Sequence, residues 1–218
     1  MRNDTRRSGI SLTCRDTELF RYLFLQRVAR LSDIRQDVFG EVTRQAVHRR
    51  VIRLLQAGYL DCTYLKGSEG SLVYSLAKRA LREQIGERGV LDREQRKSAS
   101  PNHDLALLAI RRWLLQQSRV AEFYSENGLA AGLYDDLEGM KTLRALNPDA
   151  IVRVKVGERT VILPLEYEAS EKFAARYERL VTRYYHHPKV EAVLFLSKEM
   201  HIIEKVKRAE KQWKAPIE

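Results

Sequence analysis

Three carboxylates in the second half of the chain have the chemistry and spacing to bind a divalent metal ion. Asp149 directly precedes a predicted strand, and Glu166 and Glu168 lie at the end of the next one. Side chains two apart on a strand point to the same face, and a hairpin can bring Asp149 close to Glu166. Such carboxylates can hold Mg²⁺ or Mn²⁺ for phosphodiester hydrolysis. The spacing permits this chemistry but is not specific for it.

A second group of side chains, in the first half, has the chemistry of DNA recognition. One face of a predicted helix over residues 43–57 holds Arg44, Gln45, His48 and Arg49. Arginine and glutamine can form bidentate hydrogen bonds with base edges, which the N-terminal half of a recognition helix usually reaches. Arg50 and Arg53 flank this face and suit phosphate contacts, as does Lys66 in a following turn. The alternative is an ordinary solvated basic surface.

Hydrophobic spacing and capping residues predict the elements that position this helix. The pattern predicts helices over residues 16–27, 32–40 and 43–57, with N-caps at Thr13 or Asp16, at Ser32 and at Thr43. Gly40 and Gly58 would end the second and third helices. Two strand-like runs, 59–65 and 71–76, flank a turn-forming segment. Three helices followed by a hairpin are typical of a winged helix.

The second half is predicted as an α/β domain. Its elements are helices over residues 102–117, 170–186 and 200–213, and strands over 120–124, 150–156, 160–167 and 192–196. A charged segment, 86–101, is poor in large apolar residues and predicts a linker. The expected organisation is therefore an α+β chain with a winged-helix domain at 1–85, a linker at 86–101 and an α/β domain at 102–218.

Composition favours an anionic partner. The chain has 218 residues and a net charge of +10. Residues 1–100 carry 20 lysines and arginines against 12 acidic residues, a net charge of +8, so the excess coincides with the predicted winged helix. No apolar run is long enough to span a membrane and no secretory signal is evident, which predicts a cytoplasmic protein without a membrane partner. Cys14 and Cys62 are too far apart for a zinc-ligand pair.

Several short motifs resemble known nucleases. Pro148-Asp149, a hairpin, Leu165-Glu166-Tyr167-Glu168 and a following segment with Lys172 are similar to the core of the PD-(D/E)XK nuclease superfamily. The whole chain, including Asn102-His103-Asp104, resembles the replication-relaxation family of plasmid and conjugative-element proteins. The resemblance implies a winged helix joined to a degenerate nuclease-like domain.

One departure from the superfamily bears on catalysis. In an active member, the position of Glu168 would be a lysine that stabilises charge on the scissile phosphate, which a glutamate cannot do. Lys172, four residues on, could replace that lysine, or it could be an ordinary charge in the first turn of a helix. The resemblance thus implies that Asp149, Glu166, Glu168 and Lys172 are either a catalytic set or the remains of one.

Three hypotheses about function remain open. The first is a double-stranded-DNA-binding protein of a mobile element, a regulator or accessory factor in plasmid replication or transfer, with a non-catalytic nuclease-like domain. The second is a Mg²⁺- or Mn²⁺-dependent endonuclease targeted by its winged helix. The third is a protein-interaction adaptor. The sequence is compatible with a homodimer but does not specify an oligomeric state. It also does not specify which replication or transfer proteins the chain would contact. An Arg- and Tyr-rich helix around residues 176–185 would suit either a protein or a nucleic-acid surface.

Overall fold

The computed structural model describes residues 10–65, 71–85, 98 and 100–214. These residues form an α+β structure with two separate sheets, which confirms the predicted class. The chain divides into two compact units, Met1–Leu108 and Ala109–Glu218. Most of the predicted linker lies outside the described residues, so the domain boundary at 86–101 stays a prediction. No helix within the described ranges is long and apolar enough to cross a membrane.

The first unit combines short helices with a small antiparallel sheet. Its helices are α1 (Cys14–Gln26), α2 (Leu31–Ile34) with a π-helical extension (Arg35–Phe39), α3 (Arg44–Gln56), and α4 (Lys78–Ala80) with a π-helical extension (Leu81–Ile85). Its strands are β1 (Ala29–Arg30), β2 (Leu60–Tyr64) and β3 (Leu72–Leu76). The sheet has the order β1-β3-β2, and the sequence did not predict β1.

Helix α1 begins earlier than the hydrophobic spacing suggested. Thr13 is its N-cap: its hydroxyl accepts a hydrogen bond from the Asp16 amide, and the Asp16 carboxylate accepts one from the Thr13 amide at 2.6 Å. This capping box satisfies two amides that a helix end leaves unpaired. The helix buries Leu19, Phe20 and Leu23 completely.

The predicted N-cap at Ser32 is wrong. Helix α2 begins at Leu31, and Arg30 occupies the cap position, where its amide donates to the Asp33 carboxylate at 2.8 Å. Asp33 rather than Ser32 caps the helix, because its carboxylate reaches back to the Arg30 amide, which has no partner within the helix. The helical segment ends at Gly40 as predicted, with a positive φ of 57°.

Helix α3 has the predicted limits. The Thr43 hydroxyl accepts from the Ala46 amide at 3.4 Å, and Gly58 follows the helix with a φ of 74°. A residue with a side chain rarely adopts this left-handed conformation, so glycine suits the exit from the helix. Val47, Val51 and Leu54 are fully buried and hold α3 against the core of the first unit.

The second unit is built on a four-stranded sheet. Along the chain, helix α5 (Pro101–Leu115) is followed by β4 (Val120–Ser125), α6 (Glu126–Ala130), α7 (Met140–Arg144), β5 (Ala150–Val156), β6 (Arg159–Glu168), α8 (Ala174–Tyr185), β7 (Leu194–Ser197) and α9 (Met200–Lys214). The sheet order is β4-β5-β6-β7. Strands β6 and β7 are parallel, and the other neighbours are antiparallel.

Two parts of this unit differ from the prediction. Helix α8 begins at Ala174 rather than at residue 170, because Phe173 is extended (φ −61°, ψ 145°) and the Lys172 amide donates to the Tyr177 hydroxyl at 2.9 Å. The segment 126–148, for which no helix was predicted, contains α6 and α7. Leu129, Met140 and Leu143 in this segment pack in one buried cluster with residues of β4, β5 and α8.

Candidate functional site

The outer face of α3 carries an unneutralised set of polar and basic side chains. All five of these side chains are exposed: Arg44, Gln45, His48, Arg49 and Arg53. Within the described parts of the chain, none of the five side chains takes part in a hydrogen bond or ion pair. The first turn of α3 contains no acidic residue. The face therefore presents guanidinium, amide and imidazole groups to solvent.

Arg50 lies apart from this face. Its Nε donates to the Asp16 carboxylate at 2.8 Å, and its Nη2 donates to the same carboxylate and to the Ser11 carbonyl at 2.8 Å. Asp16 is fully buried. Burial works to raise the pKa of Asp16, but the bonds from Arg50 and Thr13 hold it below its usual value. Arg50 thus binds α3 to α1, and its guanidinium is already neutralised inside the unit.

Helical geometry explains why adjacent arginines differ. Each residue advances about 100° around a helix, so Arg50 falls beside the buried Leu54 while Arg49 falls on the solvent side. The phosphate contact of Arg50 stays a prediction. Arg53, predicted to play the same part, is exposed.

A hairpin follows α3. Strands β2 and β3 are antiparallel, with Tyr64 directly opposite Leu72, and both of these side chains are exposed. The turn that joins them, with the predicted phosphate contact Lys66, lies outside the described residues.

In the second unit, Glu166 is a buried carboxylate with two partners on α8. It is only 9% exposed, and its Oε1 accepts hydrogen bonds from Arg183 Nη2 at 2.7 Å and from the Tyr184 hydroxyl. Burial and the nearby charge of Asp149 raise the pKa of Glu166 to about 7, although Tyr184 and Arg183 act in the opposite direction. Near neutral pH the protonated and ionised forms of Glu166 are therefore about equally populated.

The structure brings Asp149 and Glu166 near each other. Asp149 Oδ2 accepts a hydrogen bond from the Tyr167 amide at 2.7 Å, and this bond fixes the carboxylate beside the end of β6. Its charge is close enough to disfavour ionisation of Glu166. Two carboxylates so arranged are the residues that could hold a cation here.

Glu168 and Lys172 form a neighbouring pair. Lys172 Nζ lies 3.7 Å from Glu168 Oε1 and 2.9 Å from the Ser170 hydroxyl, and Arg176 Nε lies 3.4 Å from Glu168 Oε2. The lysine is thus paired with Glu168. Among the described residues, no group of three or more histidine, cysteine, aspartate or glutamate side chains has an arrangement that could hold a metal ion.

Sequence reasoning missed the partners of Glu166. The sequence places Arg183 and Tyr184 on an Arg- and Tyr-rich helix suited to a surface, but Tyr184 is buried and both side chains bond to Glu166. The available signal was the spacing of Tyr177, Val181 and Tyr184, which places one tyrosine hydroxyl on the buried side of the helix. A buried tyrosine usually finds a polar partner.

Comparisons with known proteins identify no relative: no family model, no curated protein and no solved structure significantly matches the chain.

Proposed function

We propose that this chain is a double-stranded-DNA-binding protein whose first unit is a winged helix with α3 as the recognition helix. The element order α1-β1-α2-α3-β2-β3 and the sheet order β1-β3-β2 support this interpretation. In helix-turn-helix proteins the second helix of the motif enters the major groove and its N-terminal residues contact base edges. Helix α3, directly after α2, has the corresponding position.

The exposed face of α3 is the observation that carries the proposal. A basic residue on a protein surface is commonly paired with an acidic neighbour, but among the described residues no acidic side chain pairs with the basic residues of this face. In the proposed complex, Arg44, Gln45 and Arg49 contact base edges and His48 adds a polar contact. Arg53 contacts a backbone phosphate. The net charge of +8 on residues 1–100 supports the same partner.

The resemblance to the replication-relaxation family supplies the biological setting of the proposal. It assigns the protein to a mobile genetic element, as a regulator or accessory factor in plasmid replication or conjugative transfer. In this setting the second unit serves assembly, through a homodimer or through other replication and transfer proteins, and its carboxylates have no catalytic role.

Binding to a labelled mixed-sequence DNA duplex tests the proposal. Affinity should fall as salt rises from 50 to 200 mM, since bound cationic side chains release counterions from DNA. Arg44→Ala/Arg49→Ala should weaken binding at least about tenfold at low salt. The matched control, Arg15→Ala/Arg21→Ala, removes the same charge from exposed positions of α1 and should bind nearly as the parent does. Equal affinities for the two double variants, or binding that salt does not change, would refute the proposal.

A metal-dependent endonuclease is the second candidate function. The observation in its favour is the proximity of the Asp149 and Glu166 carboxylates at the end of β6. Against it, Arg183 and Tyr184 engage Glu166, and Glu168 has the charge opposite to the usual lysine. Incubation of supercoiled plasmid with the protein and Mg²⁺ or Mn²⁺ decides between a non-catalytic DNA-binding protein and a nuclease. If the parent nicks the plasmid and Asp149→Ala does not, the nuclease function is established.

A further inference from the structure

Phe173 is the most exposed large apolar side chain in the described part of the chain, with 91% of its surface accessible. It lies between the end of β6 and the start of α8, in the second unit. Isolated exposed apolar residues are common, so exposure alone does not define a site. The surroundings of Phe173 distinguish it from such residues.

The backbone that presents Phe173 is anchored on both sides. Before it, the Lys172 amide donates to the hydroxyl of the buried Tyr177 at 2.9 Å, and Glu171 pairs with His201 at 3.0 Å and with Lys205 of α9. After it, the Arg176 amide donates to the Phe173 carbonyl at 2.9 Å. The ring is therefore held out from a fixed backbone, which lowers the entropy lost when a partner stacks on it.

Basic side chains continue from Phe173 along α8. Arg176, Arg179 and Arg183 follow at intervals of three, three and four residues, the spacing of one helical side. With a rise of about 1.5 Å per residue, this row extends about 15 Å from Phe173. Arg176 and Arg183 pair with Glu168 and Glu166, whereas Arg179 is exposed and has no ion pair within the described ranges.

We propose that Phe173 stacks on an unpaired base of single-stranded DNA and that Arg179, the exposed arginine of this row, contacts the backbone of that strand. Proteins that bind single strands combine aromatic side chains, on which bases stack, with cationic groups that track the phosphates. In a duplex the base faces are covered by their neighbours, so a ring can stack on a paired base only by unstacking the duplex, whereas an unpaired base requires no such cost. The inference rests on the proposed function in taking DNA as the partner, but it concerns different residues in a different unit.

Fluorescence anisotropy with labelled dT12 and a labelled duplex tests this inference. Phe173→Ala should weaken dT12 binding roughly 5- to 150-fold, the loss expected for one base–aromatic stack, and leave duplex binding unchanged. Phe173→Trp should retain dT12 affinity, and its added indole fluorescence, measured against the parent, should be quenched by dT12. Trp113→Ala, which removes another exposed aromatic ring of the second unit, should bind dT12 as the parent does.

The two proposals fail separately in this experiment. Arg44→Ala/Arg49→Ala should weaken duplex binding at least about tenfold and bind dT12 as the parent does. If the parent binds dT12 but not the duplex, only the winged-helix proposal is refuted. No dT12 binding by the parent, or equal affinities for parent and Phe173→Ala, would overturn the inference about Phe173.

Discussion

Arg49 and Arg50 are neighbours in the chain, yet they occupy opposite environments. Arg49 is exposed on α3, whereas Arg50 makes three hydrogen bonds to Asp16 and Ser11. A buried carboxylate that loses its partner becomes strongly destabilising, because its charge is no longer compensated. Arg49 is thus proposed to bind DNA, whereas Arg50 stabilises the first unit.

Arg50→Ala should lower the free energy of unfolding by about 3–5 kcal/mol, since it leaves the Asp16 charge buried and unpaired. The matched change Arg49→Ala should alter it by no more than about 0.5 kcal/mol. Urea denaturation of both variants measures the difference. In a double-mutant cycle with Asp16→Ala, coupling close to zero would show that the ion pair does not hold α1 and α3 together.

Glu166 should make stability depend on pH. Its pKa of about 7 in the fold exceeds the ordinary value of 4.5, so the folded chain retains a proton that the unfolded chain has lost. Stability should therefore fall as pH rises from about 4.5 to about 7, the opposite of an ordinary salt-bridged carboxylate. In Glu166→Gln this contribution is absent, so the parent should lose stability relative to the variant over that range.

Urea denaturation in EDTA-containing buffers between pH 4.5 and 8 measures this effect. The groups that act on Glu166 are Asp149, Tyr184, Arg183 and Arg176. Because the Tyr184 hydrogen bond lowers the pKa of Glu166, Tyr184→Phe should move the loss of stability to higher pH. A constant stability difference between parent and Glu166→Gln across the whole range would contradict the prediction.

At the scale of elements, α3 and the hairpin after it follow from short-range signals. The Thr43 cap, the Val47, Val51 and Leu54 positions and the left-handed Gly58 each act on residues a few positions away. Helix α8 starts later than its pattern predicts, because the Lys172 amide donates to the hydroxyl of Tyr177 and the preceding residues stay out of the helix. The exposed position of Phe173 results from this later start.

Variants of the α3 cap can separate stability from DNA binding. Thr43→Ala removes the hydroxyl that accepts from Ala46 and should destabilise the chain by about 1 kcal/mol. Thr43→Asp keeps a good cap and should preserve stability, but its negative charge at the start of the proposed recognition helix should weaken duplex binding. Denaturation and anisotropy on both variants test this. If Thr43→Asp binds the duplex as tightly as the parent, the start of α3 does not approach DNA.

At the scale of the whole molecule, the charge is unevenly distributed. The first 100 residues hold +8 of the net +10, so most of the cationic excess belongs to the half of the chain that contains α3. The division into two compact units gives each proposed contact its own fold: α3 in the first unit and Phe173 in the second.

The salt dependence of duplex binding should distinguish two kinds of contact on α3. Arg53→Ala should reduce the slope of log affinity against log salt by about 0.9, since one phosphate contact releases about one counterion. Gln45→Ala should leave the slope unchanged and reduce discrimination among duplex sequences, because an uncharged amide reads base edges. Identical slopes for Arg53→Ala and the parent would remove Arg53 from the proposed phosphate contacts.

The sequence alone determined the features whose causes lie close together in the chain. It predicted α3 with its cap and terminal glycine, the β2–β3 and β5–β6 hairpins, the α+β class and the exposed face of α3 that holds Arg44, Gln45, His48 and Arg49. These depend on capping hydrogen bonds, turns and hydrophobic periodicity, which act over a few residues. The wrong N-cap prediction at Ser32 shows that, even for short-range signals, two adjacent polar residues such as Ser32 and Asp33 can compete to cap the same helix.

Only the tertiary structure decided the features that join distant residues. Arg50 meets Asp16 across 34 positions, and Glu166 meets Tyr184 across 18. Strand β7 joins β6 in parallel, a pairing that leaves no local turn signal. Asp149 and Glu166 lie near each other, as the hairpin predicted. The hydrogen-bond and ion-pair partners of Glu166 and Glu168 on α8 depend on how that helix packs, which no short-range pattern specifies.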